Sequence, residues 1–101
     1  MRPVLLIAVL LPLVMSAAAA GARAAETELV AGCVPCHGLD GIGRDAEIPN
    51  LAGQHELYLF NQLKAFRAGR RRHQEMQYMS RHMTVDEMKS LAAYFANLPS
   101  R

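Results

Sequence analysis

The chain has 101 residues, 51% of them hydrophobic, with 11 Lys plus Arg against 9 Asp plus Glu and a formal charge of +2. That length bounds it to one domain, and so small a charge excludes the dense basic footprint of a nucleic-acid binder. Two Cys, six Met and no Trp are the unusual part of the composition.

Residues 1–24 carry the pattern of a signal peptide: Met1 and Arg2, an apolar run from Val4 to Met15, then small residues from Ser16 to Ala24. The run is 12 residues long and contains Pro12, whereas a membrane span needs about 20 apolar residues. Cleavage after Ala24 is expected, leaving a domain of residues 25–101 that is exported to the periplasm and has no membrane span. A retained leader would act as a tether. The remaining 77 residues hold 9 basic and 9 acidic side chains, so the apparent charge belongs to the leader. A chain this short buries only about 60% of its unfolded surface and needs a staple, a metal or another anchored group.

From Glu26 to Cys36 the spacing of Leu29, Val30 and Cys33 predicts a short helix with acidic residues in its first turn, where the helix dipole favours them. Both cysteines lie in Cys33-Val34-Pro35-Cys36-His37. A disulfide here would close a two-residue gap and constrain the unfolded chain little. A thioredoxin-like motif requires a βαβ setting, and no strand pattern is present. A zinc site needs two more ligands, and His55, His73 and His82 lack the paired spacing. C-x-x-C-H is also the signature of covalent haem attachment. Two thiols one helical turn apart can each form a thioether with one vinyl group of a haem, and His37 then reaches the iron from one face. A low-spin carrier of this kind needs a second axial ligand, usually Met or His.

Gly38 to Gly43 breaks regularity, and the loop runs on through Pro49-Asn50-Leu51-Ala52-Gly53. A second helix is predicted from His55 to Ala68, with Tyr58, Leu59, Leu63 and Phe66 on one side and Gly69 as its stop. A loop of about fourteen residues follows, long enough to call for a functional reason. The last helix opens on Thr84-Val85-Asp86-Glu87, a capping box, with Met83 and Met88 placed as a hydrophobic staple. Met88, Leu91, Ala92 and Phe95 follow helical spacing, and Pro99 ends the helix.

This reading gives Met83 and Met88 packing roles. Met76 and Met79 remain in the long loop as candidates for the sixth ligand, and spacing does not separate them. His73 and His82 are rivals flanked by Arg in solvated stretches, and His55 is read as an exposed helix-terminal residue.

Cys33-Val34-Pro35-Cys36-His37-Gly38, the Asp40-Gly41-Ile42-Gly43 turn, Pro49-Asn50-Leu51-Ala52-Gly53-Gln54, Tyr58…Gln62-Leu63…Phe66-Arg67…Gly69 and Leu91-Ala92-Ala93-Tyr94-Phe95 together resemble class I cytochrome c, closest to the bacterial c553 and c4 type. The resemblance spans the mature chain in order. It implies an all-α fold of three main helices around one haem c bound through Cys33 and Cys36, with His37 and Met76 on the iron and Met79 as runner-up. It also implies that the Pro49 carbonyl accepts the other ring N–H of His37. Where the family places glycines in its first helix, this chain has Glu26 and Glu28, which shifts the expected close contact with the last helix to Ala31 or Gly32.

With both axial positions filled by protein, the haem has no open site for a substrate, and the function expected is single-electron transfer without enzymatic chemistry. The alternatives are a haem subunit of a dehydrogenase or flavocytochrome complex and, in another class, a five-coordinate haem sensor or peroxidase-like enzyme. Six acids and one base lie between Glu26 and Glu56, while Lys64 to Arg72 holds five bases and no acid. That polarity suggests docking of redox partner proteins at the basic region Lys64 to Arg72.

Overall fold

The computed structural model describes residues 1–12 and 16–101. Leu13, Val14 and Met15, the end of the apolar run in the leader, lie outside the described residues. Residues 1–12 form no regular element, and their large side chains, Leu6 and Leu10 among them, are exposed. Five helices and no strand are found among the described residues: α1 (Ala17–Ala31), α2 (Val34–His37), α3 (Glu56–Ala68), α4 (Gln74–Ser80) and α5 (Val85–Ala96). No helix among them is long and apolar enough to cross a membrane.

The helix predicted from Glu26 to Cys36 is divided in two and begins earlier. Ser16 caps α1 by accepting from the Ala19 amide, so the helix runs through Ala24, the expected cleavage point, and Glu26 and Glu28 fall in its interior. Pro35 causes the break. It has no amide to donate back to Ala31, and its ring crowds the preceding turn, so α1 stops at Gly32 and α2 restarts with the proline in its first turn.

α3 follows the expected bounds within one residue. Gly69 ends it in the left-handed region, φ +76°, its amide donating to the Ala65 and Phe66 carbonyls. A Cβ-bearing residue would be strained there. Leu59 and Phe66 are buried as predicted, but Tyr58 is 47% exposed and belongs to the outer face.

The long loop holds a helix of its own. α4 starts at His73, whose imidazole accepts from the Met76 amide at 3.3 Å, and five of the seven residues that follow, Gln74, Glu75, Met76, Gln77 and Met79, are good helix formers. Met76 and Met79 therefore sit three apart on one helix face and not on irregular backbone. The capping box of α5 is complete: Thr84 accepts from the Glu87 amide at 3.1 Å, and Glu87 accepts from the Thr84 amide at 3.0 Å. Met88 is fully buried and Met83 partly so.

Val30 of α1, Leu59 of α3 and Leu91, Ala92 and Phe95 of α5 make the core, so the three long helices meet around α5. Leu29, Cys33, Leu51, Leu63 and Met83 pack at its edge. The close contact expected between α1 and the last helix is found elsewhere. A Cβ on Gly32 would stand 3.4 Å from the Met79 methyl of α4, while Ala31 is exposed.

Candidate haem site

His37 ends α2, and its amide donates to the Cys33 carbonyl at 2.9 Å. Its ring is buried, 7% exposed, and Nδ1 lies 3.0 Å from the Pro49 carbonyl. A carbonyl only accepts, so Nδ1 carries a proton, and in the neutral ring the lone pair is then on Nε2, where a metal would bind.

Two loops hold that carbonyl in place. The Gly41 carbonyl accepts from the Leu51 and Ala52 amides at 2.7 and 3.1 Å, and Asn50 accepts from the Gly43 amide at 2.8 Å. Asp40 closes the turn by accepting from the Ile42 amide, and the Arg44 amide returns to the Cys36 carbonyl at 3.1 Å. The segment after the cysteines and the segment around Pro49 are therefore one cross-braced unit.

Cys33 and Cys36 are both free thiols. Cys33 is half-buried, and burial pushes its pKa above the usual thiol range; Cys36 is exposed. Among the described residues, no three His, Cys, Asp or Glu side chains converge to hold a metal ion, which leaves the zinc reading without a ligand set. The donor set fits covalent haem: two unpaired thiols one turn apart, beside a buried imidazole whose remaining nitrogen is a free metal donor.

On α4, Met76 is partly buried and Met79 is 36% exposed with its methyl against Gly32, beside Cys33. His73 is exposed, its Nδ1 used by the Met76 amide and 3.6 Å from Glu75; His82 and His55 are exposed. The residue that sequence reasoning missed is Asn50, whose amide side chain braces the Pro49 turn. An Asn between Pro and an apolar residue in a turn is a legible signal for such a brace.

A small all-helical domain with a Cys-Cys-His site of this geometry belongs to the class that carries haem on thioether links. The family model for cytochrome c matches residues 18–99, and the chain belongs to that family. It is a haem c electron-carrier domain. It is 36% identical over 81 residues to cytochrome c-554(548) of Halomonas halodenitrificans, an alignment that covers 77% of this chain and 98% of that protein. It is 45% identical over 69 residues to the thiosulfate dehydrogenase electron acceptor of Stutzerimonas stutzeri strain A1501, covering 65% of this chain and 32% of that protein. The solved cytochrome c4 of Acidithiobacillus ferrooxidans superposes with a TM-score of 0.68 at 36% identity, covering 78% of this chain and 50% of that one. The chain thus spans half or less of the length of these last two proteins.

Proposed function

We propose that the mature protein is a periplasmic carrier that passes single electrons between redox partners and catalyses no substrate chemistry of its own. The observation that carries this reading is His37, buried, its Nδ1–H engaged by Pro49 and its Nε2 free, directly after the two thiols. Cys33 and Cys36 would hold the cofactor, His37 would be the proximal ligand, and Met76 the sixth. Bound haem supplies a one-electron ferric/ferrous couple, and the chain's own residues fix its ligation and limit its contact with water.

Met76 is preferred over Met79 because Met79 already has packing to do: its methyl fills the space that Gly32 leaves beside Cys33. Removal of residues 1–24 before the carrier matures is part of the same reading, with the leader serving export. The basic block from Lys64 to Arg72 is the docking region for an acidic face on the partner. A relative named as the electron acceptor of thiosulfate dehydrogenase favours a second reading, in which the chain receives electrons from one dedicated dehydrogenase.

The test is mass spectrometry of protein exported with the haem-attachment machinery. The carrier reading predicts a chain beginning at Ala25 with one haem covalently bound, lost when both Cys33→Ser and Cys36→Ser are introduced. Haem that remains bound in the double variant would overturn the assignment.

A further inference from the structure

The segment from Gly69 to Met83 carries both candidate methionines, packs on α3 and is shaped by hydrogen bonds of its own. The His73 imidazole accepts from the Met76 amide. Ser80, fully buried, donates its hydroxyl to the Gln77 carbonyl at 3.3 Å, and the Met83 amide donates to the Ser80 carbonyl at 3.1 Å. A helix of seven residues is marginal alone, so something outside it must hold it in place.

Packing of α4 on α3 does part of this, and two arginines of the basic block add to it at opposite ends of the segment. Arg67, in the last turn of α3, donates Nη1 to the Met83 carbonyl at 2.9 Å, where the segment meets the cap of α5. Arg71, just past α3, donates Nη1 to the Gln62 side chain of α3 at 2.8 Å and lays its guanidinium over the Phe66 ring, 4.6 Å from the centroid. Both contacts use features specific to arginine: a directed planar donor in the first, a stacking face in the second. For Arg70 and Arg72, by contrast, no side-chain hydrogen bond or ion pair is found among the described residues.

We propose that Arg67 and Arg71 are positioning residues, a clasp that holds the methionine-bearing segment against α3 and keeps the sixth ligand on the iron, and that the docking part of the basic block is Arg70 and Arg72. The clasp rests on the reading that a methionine of this segment is the sixth ligand. Release of either end raises the fraction of molecules in which the thioether has left, and an external ligand then binds more tightly in proportion to that fraction.

The experiment is titration of the ferric holoprotein with imidazole, together with its near-infrared Met-to-iron band and its thermal melt. Loss of one charge-assisted hydrogen bond at a solvent-exposed position predicts an imidazole affinity roughly fivefold higher in Arg67→Gln and in Arg71→Gln. Arg67→Lys, which keeps a donor, falls between those variants and the parent. Lys89→Gln, which removes one exposed charge from α5, keeps the parent affinity. Parent affinity in both arginine variants overturns the clasp, including where their melting temperatures fall, because that pattern is a contribution to global stability alone. If the parent protein lacks the near-infrared band, the methionine reading fails and the clasp fails with it. If the band is present and the affinities do not move, only the clasp fails.

Discussion

His37 Nδ1 and the Pro49 carbonyl meet at 3.0 Å across twelve residues of sequence, and this contact ties the site to the loop behind it. The ring of a metal-binding histidine is oriented by the partner of its other nitrogen, and that partner also raises its basicity. The Pro49 carbonyl is itself held by the cross-bracing of residues 41–43 against 50–52.

Weakening that brace should loosen the site without touching a ligand. Asn50→Ala removes the acceptor of the Gly43 amide and is expected to cost about 1 kcal/mol, a fall of roughly 4–8 °C in Tm for a domain of this size. Thermal melting of the holoprotein measures it. An unchanged Tm would show that water replaces Asn50 without cost.

Gly32 and Met79 form a second testable pair. Gly32 has helical dihedrals, φ −66° and ψ −24°, and the room beyond it ends at the Met79 methyl, 3.4 Å from a built Cβ. Gly32→Ala is expected to be tolerated within about 1 kcal/mol, while Gly32→Leu overlaps the Met79 methyl and costs about 1–3 kcal/mol. Met79→Ala in the Gly32→Leu background should recover part of that loss, a coupling that a double-mutant cycle of melting temperatures reads out. Strict additivity would contradict the contact.

Much of this architecture was legible in the residues, and the exceptions have physical causes. The complete cap of α5 follows from Thr84 and Glu87, and the stop of α3 from Gly69, because each is a local rule carried by one or two side chains. The order of the three long helices and the resemblance to cytochrome c were equally plain. α4 was missed because its cap is His73 and not Ser, Thr, Asp or Asn, and because two turns carry too few apolar positions to show a period. The break before α2 was available in Pro35, but the apolar spacing across Leu29, Val30 and Cys33 obscured it. Tyr58 was assigned to the inner face from its neighbours at helical spacing, and only the packing of α3 on α5 shows that it turns outward. Of the candidate site, Cys33, Cys36 and His37 are readable from one motif, whereas the tie to Pro49 depends on a contact far away in sequence and is implied only by the family resemblance.

The core predicts what loss of haem does. Among the described residues eight hydrophobic side chains are buried, two of them alanines, which is little for a chain of this length. Protein produced without haem attachment, or with both Cys33→Ser and Cys36→Ser, should lose most of its helical circular dichroism and its cooperative melt. A cooperative melt in the haem-free protein would show that the helices fold on their own packing.

Docking through the basic block carries its own signature. The bimolecular electron-transfer rate with an acidic redox partner should fall on the order of tenfold as the Debye length shrinks from about 30 Å to about 8 Å with added salt. Arg70→Gln with Arg72→Gln should flatten that dependence, as stopped-flow kinetics would show. A salt profile that is flat in the parent protein would remove the docking assignment.

The most direct test of the site is the near-infrared absorption of the ferric holoprotein with Met76→Ala and, separately, Met79→Ala. Ligation by His37 and Met76 predicts a Met-to-iron band in the parent, its loss in Met76→Ala and its retention in Met79→Ala. A band that survives Met76→Ala and vanishes in Met79→Ala would contradict the assignment and move the ligand one turn along α4.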